Sequence, residues 1–255
     1  MTGDDIHRWQ QFLRGQGYDL VVDGSFGPKT VASTMKFQQK NNLLSDGVVG
    51  NRTYATAMLL GMAMDEYIID TDRSVSSSDW PPAPDFKPLS LDQRKALFGD
   101  FKYIAAPSPG NSEGIKIIDD WASHNLTKAI VPQLETVAYG PKNGIVFWHV
   151  KTKDQLEQLF KDWEEAGLMD RVLTWAGSYN PRFIRGSRTV LSNHAWATAF
   201  DINVPWNSLG HEPARVGQKG SVRELVELAN KNGFYWGGHW KSRPDGMHFE
   251  IAKVL

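Results

Sequence analysis

Apolar and polar positions change their period along the chain. Ile6, Trp9 and Leu13 recur at the spacing of one helical face, which predicts an amphipathic helix near the start. Val31, Thr34, Met35 and Gln38 run along a second helix with Phe37 beside them, and Tyr54 to Leu60 predicts a short third. Further on, Leu91 to Phe98 predicts a short helix. Residues 154–166 predict an amphipathic one with Leu156, Leu159, Phe160 and Trp163 on its apolar face. Ser221 to Asn230 predicts another, with Ser221 as cap and Glu224 completing a capping box. Short apolar runs predict strands at Gly114–Ile118, Ala129–Val131, Val146–Val150 and Arg171–Trp175. Two later stretches alternate strictly. In Thr198–Val204, Phe200, Ile202 and Val204 share one face, and Ala199, Asp201 and Asn203 share the other. In Met247–Ile251, the apolar face is Met247, Phe249 and Ile251, and the polar face is His248 and Glu250.

These elements divide the chain. Residues 23–30, DGSFGPKT, return as residues 46–53, DGVVGNRT, so DGxxGxxT recurs 23 residues on. Each Asp-Gly predicts a tight turn, and Pro28 suits the first position of a helix. The expected layout is a small all-α three-helix unit at 1–65, a linker at 66–88 and an α+β domain at 89–255 with a mainly antiparallel sheet. The linker includes TDRSVSSSDWPPAPDF, whose Ser, Asp and Pro content suits a semi-extended tether.

Composition narrows the function. The net charge of −1 and pI near 6.7 argue against a nucleic-acid surface, and no apolar run is long enough to span a bilayer. The opening MTGDDIHRW has neither a basic nor an apolar leader region, so no signal peptide is expected. Cysteine is absent, which excludes disulfides and thiolate metal sites and leaves His, Asp and Glu as metal ligands. Ten tryptophans suit either a large core or a groove for a bulky polar ligand.

The chemistry gathers in SNHAWATAFDIN, residues 192–203, and DGMHFEI, residues 245–251. Two strands on one core would aim Asp201 and His248 the same way. His194 lies an odd number of residues before Asp201, so a bend near Trp196–Ala197 must bring it round. Two imidazoles and a carboxylate suit a divalent metal and leave a coordination position open for water, as catalytic zinc sites do. Asp245, three residues before His248, can reach such a site without being a ligand.

Two family resemblances follow from these motifs. VDGSFGPKT, FQQKNNL and DGVVGNRT resemble the three-helix peptidoglycan-binding domain of cell-wall hydrolases over about residues 5–60, which implies a module that holds murein. SNHAWATAFDIN and WGGHWKSRPDGMHFE resemble the VanY/D-alanyl-D-alanine carboxypeptidase group of metallopeptidases over most of 89–255. Within that group they are most similar to the L-alanyl-D-glutamate endopeptidases of lysins. The resemblance implies one Zn2+ per chain held by His194, Asp201 and His248, with Asp245 as general base. By a looser match, Arg182 would stabilise the oxyanion, with Arg185 as the fallback. Ala197 stands where the family has Gly, so a positive φ at this position would strain it. Ser192 reads either as a support for a ligand or as a turn serine. Glu250 either orients His248 or is solvated, and His239 is either a substrate-binding donor or a packed loop residue. Tyr179, Trp196, Tyr235, Trp236 and Trp240 are divided between core and cleft walls. His7, His124, His149 and His211 are read as structural or surface residues.

The expected protein is a monomeric, zinc-dependent, two-domain enzyme that binds peptidoglycan and cuts its stem peptide. By resemblance the bond is L-Ala–D-Glu. It would be made in the cytoplasm and act on the wall after phage-type lysis or indirect export. The alternatives are a D-Ala-D-Ala carboxypeptidase and a wall-binding protein whose zinc domain has lost catalysis.

Overall fold

A computed structural model describes residues 4–60, 62, 79–108 and 111–255. The chain divides into two compact units: Met1–Asp72 with Ser108–Ser112, and Arg73–Pro107 with Glu113–Leu255. Residues 66–78 of the expected linker lie outside the described residues.

The first unit contains helices α1 (Asp4–Gly15), α2 (Pro28–Lys40) and α3 (Asn51–Leu59). Trp9, Phe12, Leu13, Leu20, Phe37, Leu43, Ala57 and Met62 form its core. The repeated DGxxGxxT segments close around two buried glutamines. Gln10 Nε2 donates to Asp23 Oδ1 (2.8 Å), the Ser25 carbonyl (2.9 Å) and Thr30 Oγ1 (2.9 Å), while its Oε1 accepts from the Gly24 N–H (2.8 Å). Gln38 repeats the pattern with Asp46 Oδ1 (2.9 Å), the Val48 carbonyl (2.8 Å), Thr53 Oγ1 (3.0 Å) and the Gly47 N–H (2.8 Å). The repeat therefore stabilises its own turns, because a buried amide is costly unless its donors and acceptors are all used.

The first described residues of the second unit are 79–82, which the sequence places in the linker but which pack on this unit. Asp79 Oδ2 lies 3.1 Å from Arg223 Nη1, the Arg223 guanidinium sits 4.5 Å from the Trp80 ring centroid, and Asn230 Nδ2 donates to the Pro82 carbonyl. Helix α4 (Leu91–Phe98) follows, with a complete capping box from Ser90 and Gln93. Strands β1 (Tyr103–Ala105) and β2 (Ile115–Ile117) pair with each other. Helix α5 (Trp121–Asn125), which the apolar pattern does not show, precedes β3 (Leu126–Ile130). β3 pairs with β4 (Ile145–His149). Helix α6 (Lys153–Glu165) buries Leu156, Leu159, Phe160 and Trp163, as its periodicity predicts.

The remaining strands form a four-stranded antiparallel sheet: β5 (Trp175–Gly177), β6 (Ala199–Ile202), β7 (Phe234–Trp236) and β8 (His248–Ile251), in the order β5-β6-β8-β7. The strands thus form three antiparallel groups rather than one sheet. The strand expected at Arg171–Trp175 starts at Trp175 instead. Asn203 explains this: its Oδ1 accepts the N–H groups of Leu173 (2.8 Å) and Thr174 (3.0 Å), and its Nδ2 donates to the Arg171 carbonyl (2.6 Å). One side chain satisfies backbone that a neighbouring strand would otherwise pair. Asn203 is itself left-handed (φ 53°), so β6 stops at Ile202 and not at Val204. The helix expected from Ser221 begins as a 3-10 turn at Arg223–Leu225 and is α-helical only over α7 (Val226–Lys231). The Ser221 hydroxyl bonds Glu224 and accepts from the Arg223 N–H.

Aromatic rings make the core of this unit. Phe200 stacks between Phe249 (5.4 Å, 11°) and Trp175 (5.5 Å, 19°), and Trp148, Trp163, Trp196 and Trp236 are fully buried. Trp196 and Trp236 are core residues, not cleft walls.

Two features of this fold lead to stability predictions. Ala197 adopts φ 53°, ψ 43°, ends the turn at Asn193–Trp196, and is fully buried. A left-handed alanine costs about 1–2 kcal/mol, close to the sum of a lost methyl and the wider freedom of an unfolded glycine. Ala197→Gly is therefore expected to lie within about 1 kcal/mol of wild type in denaturant unfolding, whereas Ala197→Val falls at least about 2 kcal/mol below it. A large loss in Ala197→Gly would contradict this account. His149 is buried, donates Nε2–H to the Phe98 carbonyl and accepts the Lys151 N–H at Nδ1, so the neutral ring uses both nitrogens. Burial pushes its pKa down to about 4. The unfolded chain takes up this proton near pH 6.5 and the folded chain does not, so His149 stabilises the fold above pH 6.5, and its contribution falls as pH drops towards 4. The stability gap between wild type and His149→Gln should narrow over that interval, and a gap constant with pH would refute the assignment.

Candidate metal centre

The site is built where β6, β8 and the turn before β6 meet. Asp201 and His248 are direct cross-strand partners, so their side chains leave the same face of the sheet. His248 Nδ1 lies 3.0 Å from Asp201 Oδ1. His194 stands in the 3-10 turn Asn193–Trp196, and the left-handed Ala197 supplies the bend that the odd spacing requires. Its Nε2 lies 3.2 Å from Asp201 Oδ2. One potential ligand atom from each of the three residues falls within 4.8 Å of the others, with both histidines buried.

The hydrogen-bond partners decide what these atoms offer. His194 Nδ1 is 2.6 Å from the Ser178 carbonyl, which only accepts, so the proton sits on Nδ1 and the lone pair of Nε2 faces the Asp201 carboxylate. That nitrogen is buried without a hydrogen bond. His248 Nε2 is 3.0 Å from Glu250 Oε2, so its proton goes to Glu250 and its Nδ1 faces Asp201. Electron-rich atoms brought this close in a buried site repel unless a cation or a proton lies among them. Hard and borderline oxygen and nitrogen donors of this kind suit a divalent metal such as zinc. With no metal bound, electrostatics favour a proton among them, on His248 Nδ1. Burial pushes the His194 pKa down, despite Asp201 beside it. Burial also opposes charge on His248, but hydrogen bonds to Asp201 and Glu250 outweigh it and hold the ring up to about 10. Burial opposes the Asp201 charge as well, and the two imidazoles overcome it and hold that carboxyl well below its ordinary range.

Asp245 lies in the loop ahead of β8. Its N–H donates to the Gly237 carbonyl, and a side chain on Gly237 would come within 3.2 Å of the Cβ atoms of both Asp245 and His248. Glycine there lets the two residues flank one point. Asp245 Oδ1 is buried and has no hydrogen-bond partner. Burial, opposed by His248 and reinforced by Asp201, pushes its carboxyl up to about 7. Arg182 lies in the field of both Asp201 and Asp245. Burial lowers its pKa while those carboxylates support its charge. Arg185 is instead paired with Glu113, Nη1 to Oε2 at 2.9 Å, and is 40% exposed, so of these two arginines Arg182 is the one associated with the cluster.

The other expected residues separate. Glu250 is 4% exposed and bonded to His248, an orienting position and not a solvated one. Ser192 is buried ahead of the turn, but its hydroxyl does not cap it; its N–H donates to the Arg182 carbonyl. His239 Nε2 bonds the Pro81 carbonyl (2.8 Å), and its ring meets Trp80 and Trp236, which makes it a packed loop residue. The Trp240 ring lies 5.3 Å from that of His248, while Tyr179 and Tyr235 are partly buried. Sequence reading passed over Ser178, Asn193 and Gly237. Ser178 acts through its carbonyl and Gly237 through its lack of a side chain, neither of which the residue type discloses. Asn193, which donates to Glu250, is hidden between the motif residues Ser192 and His194.

Two segments match known protein families. Residues 2–56 match the family model of the peptidoglycan binding domain. Residues 185–251 match the family model described as D-alanyl-D-alanine carboxypeptidase, a span that holds His194, Asp201, Asp245 and His248. No solved structure matches the chain. The chain thus carries a peptidoglycan-binding domain in its N-terminal part and a peptidase domain of the D-alanyl-D-alanine carboxypeptidase type in its C-terminal part.

Proposed function

We propose that this protein is a zinc-dependent peptidase that anchors on peptidoglycan through residues 1–65 and hydrolyses its stem peptide with residues 89–255, at the L-Ala–D-Glu bond. The observation that carries the reading is the His194–Asp201–His248 cluster, both histidines buried, with the unpartnered carboxyl oxygen of Asp245 in the field of Asp201 and His248. His194, Asp201 and His248 would hold the metal. When bound, zinc supplies Lewis acidity and makes water a nucleophile near neutral pH. Ser178 and Glu250 keep the two imidazoles in fixed tautomers, with their lone pairs turned towards the ligand position. Asp245 takes the proton of the attacking water and passes it to the leaving amine, a role that suits a carboxyl raised to about 7. Arg182 compensates negative charge on the carbonyl oxygen. The choice of bond and the role of a phage-type endolysin follow the resemblance to lysins. The description of the matched family favours a second reading, a D-Ala-D-Ala carboxypeptidase. Mass spectrometry of fragments from digested murein separates the two: new N-terminal D-Glu supports the first, and released D-Ala the second.

The roles are tested by zinc stoichiometry alongside turnover of a stem peptide. Asp245→Ala is expected to keep its zinc and lose roughly 10²–10⁴-fold in turnover. Asp201→Ala and His248→Ala are expected to lose metal and activity together. Loss of zinc from Asp245→Ala would make Asp245 a ligand, and undiminished turnover would place the base elsewhere.

The division of labour is tested by deleting residues 1–65 while keeping residues 79–82, which pack on the second unit. Hydrolysis of soluble muropeptide should survive and attack on intact walls should drop, because the anchor raises local concentration only at the wall. Equal attack on intact walls by both forms would remove the anchoring role.

A further inference from the structure

Arg94 lies on α4, about ninety residues ahead of the segment that matches the peptidase family, yet its guanidinium reaches the turn that carries His194. It is 8% exposed, and its Nη1 donates to the Leu191 carbonyl (3.3 Å) and to Asn193 Oδ1. The guanidinium also sits 5.3 Å from the ring centroid of the fully buried Trp196. Asn193 passes the contact on, because its Nδ2 donates to Glu250 Oε2. The same oxygen receives His248 Nε2 at 3.0 Å, and His248 Nδ1 faces Asp201. Asn193, Glu250 and His248 are each no more than 5% exposed.

The line has only one workable polarity. A guanidinium only donates, so it must meet the amide oxygen of Asn193. A carboxylate only accepts, so it must meet the amide nitrogen. Turning the amide over would set NH2 against the cation and oxygen against the anion, two repulsive contacts in a buried place. Arg94 thus fixes the amide, the amide fixes the Glu250 carboxylate, and the carboxylate holds the proton of His248 on Nε2. The guanidinium is also the cation at the end of a line that buries a carboxylate, and a buried charge needs such compensation.

We infer that Arg94 is a positioning residue for the metal centre, acting through Asn193 and Glu250 to aim the Nδ1 lone pair of His248 at the ligand position. This rests on the reading of His194, Asp201 and His248 as metal ligands. Replacing Arg94 frees the amide to turn and leaves Glu250 without its distant cation. The effect should appear first in metal affinity, since hydrogen-bonding partners of metal ligands change affinity or activity about 10–100-fold.

The test uses the full-length chain and four variants: Arg94→Met, Arg94→Lys, Asn193→Leu, and Arg94→Met combined with Asn193→Leu. Zinc affinity is measured by chelator competition, the cobalt-substituted protein is followed by its visible absorption, and folding is checked by thermal melts with and without chelator. Arg94→Met keeps the stem against Trp196 and is expected to fold, bind zinc about 10–100-fold more weakly and shift the cobalt spectrum. Arg94→Lys restores a cationic donor and should bind more tightly than Arg94→Met. The double variant should lose no more than the larger single loss, because both residues act along one line; residues that merely pack would give additive losses. Should Arg94→Met fail to fold, Asn193→Leu decides by the same affinity and spectral readouts. Wild-type zinc affinity and an unchanged cobalt spectrum in a folded Arg94→Met, or in Asn193→Leu in its place, would overturn this inference alone. A wild-type chain that takes up no zinc would overturn the metal reading and this inference with it.

Discussion

The antiparallel pairing of Ala199–Ile202 with His248–Ile251 sets Asp201 opposite His248, and the rest of the site is arranged around that register. Side chains alternate along a strand, so a slip of one residue would turn one partner of the pair into the core. The register is held from below: Phe200 and Phe249, also direct partners, stack on each other under the polar face, with Trp163 and Trp175 around them. Packing of large rings thus fixes the position of two polar groups that would otherwise repel or wander. The candidate ligands gain their precision from a core they do not belong to.

His194 reaches the pair by a different device. The chain must turn between it and Asp201, and it does so with an alanine in the left-handed region. The turn is tied down on both sides, since the His149 N–H donates to the Ala197 carbonyl and the His194 ring bonds the Ser178 carbonyl. Several independent contacts therefore share the strain of one residue, as expected where backbone strain adjoins a functional site. Glu250 and Gly237 complete the arrangement, one by orienting a ring and the other by leaving room for Asp245 to approach His248.

The first unit solves a simpler problem with the same economy. Its two Asp-Gly turns are each stitched by one buried glutamine, and each bonds a carboxylate, a carbonyl, a threonine hydroxyl and a glycine N–H. The DGxxGxxT repeat is visible in the sequence, but Gln10 and Gln38 lie at different distances ahead of it, so no fixed spacing reveals them.

Local pattern carried much of the fold. The helical faces of α1 and α6 and the alternation in β6 and β8 were legible because a buried face imposes its period on the residues that line it; α2 and α4 were legible as helices, but α2 buries Thr30, Ser33, Thr34, Phe37 and Gln38 and leaves Met35 exposed. Asp201 and His248 could be placed on one polar face for the same reason, and the need for a bend before Asp201 followed from parity alone. Tertiary structure decided what depends on distant backbone or on a missing side chain. Asn203 moves the start of β5 by supplying hydrogen bonds from the turn that follows β6, and the Ser178 carbonyl sets the His194 tautomer. Trp196 and Trp236 prove to be core, and residues 79–82 fold onto the second unit although their composition reads as tether. Arg94 meets Asn193 across ninety-nine positions of sequence. Periodicity records which face of an element is buried, whereas these contacts depend on which elements the chain brings together, and a local pattern does not encode that.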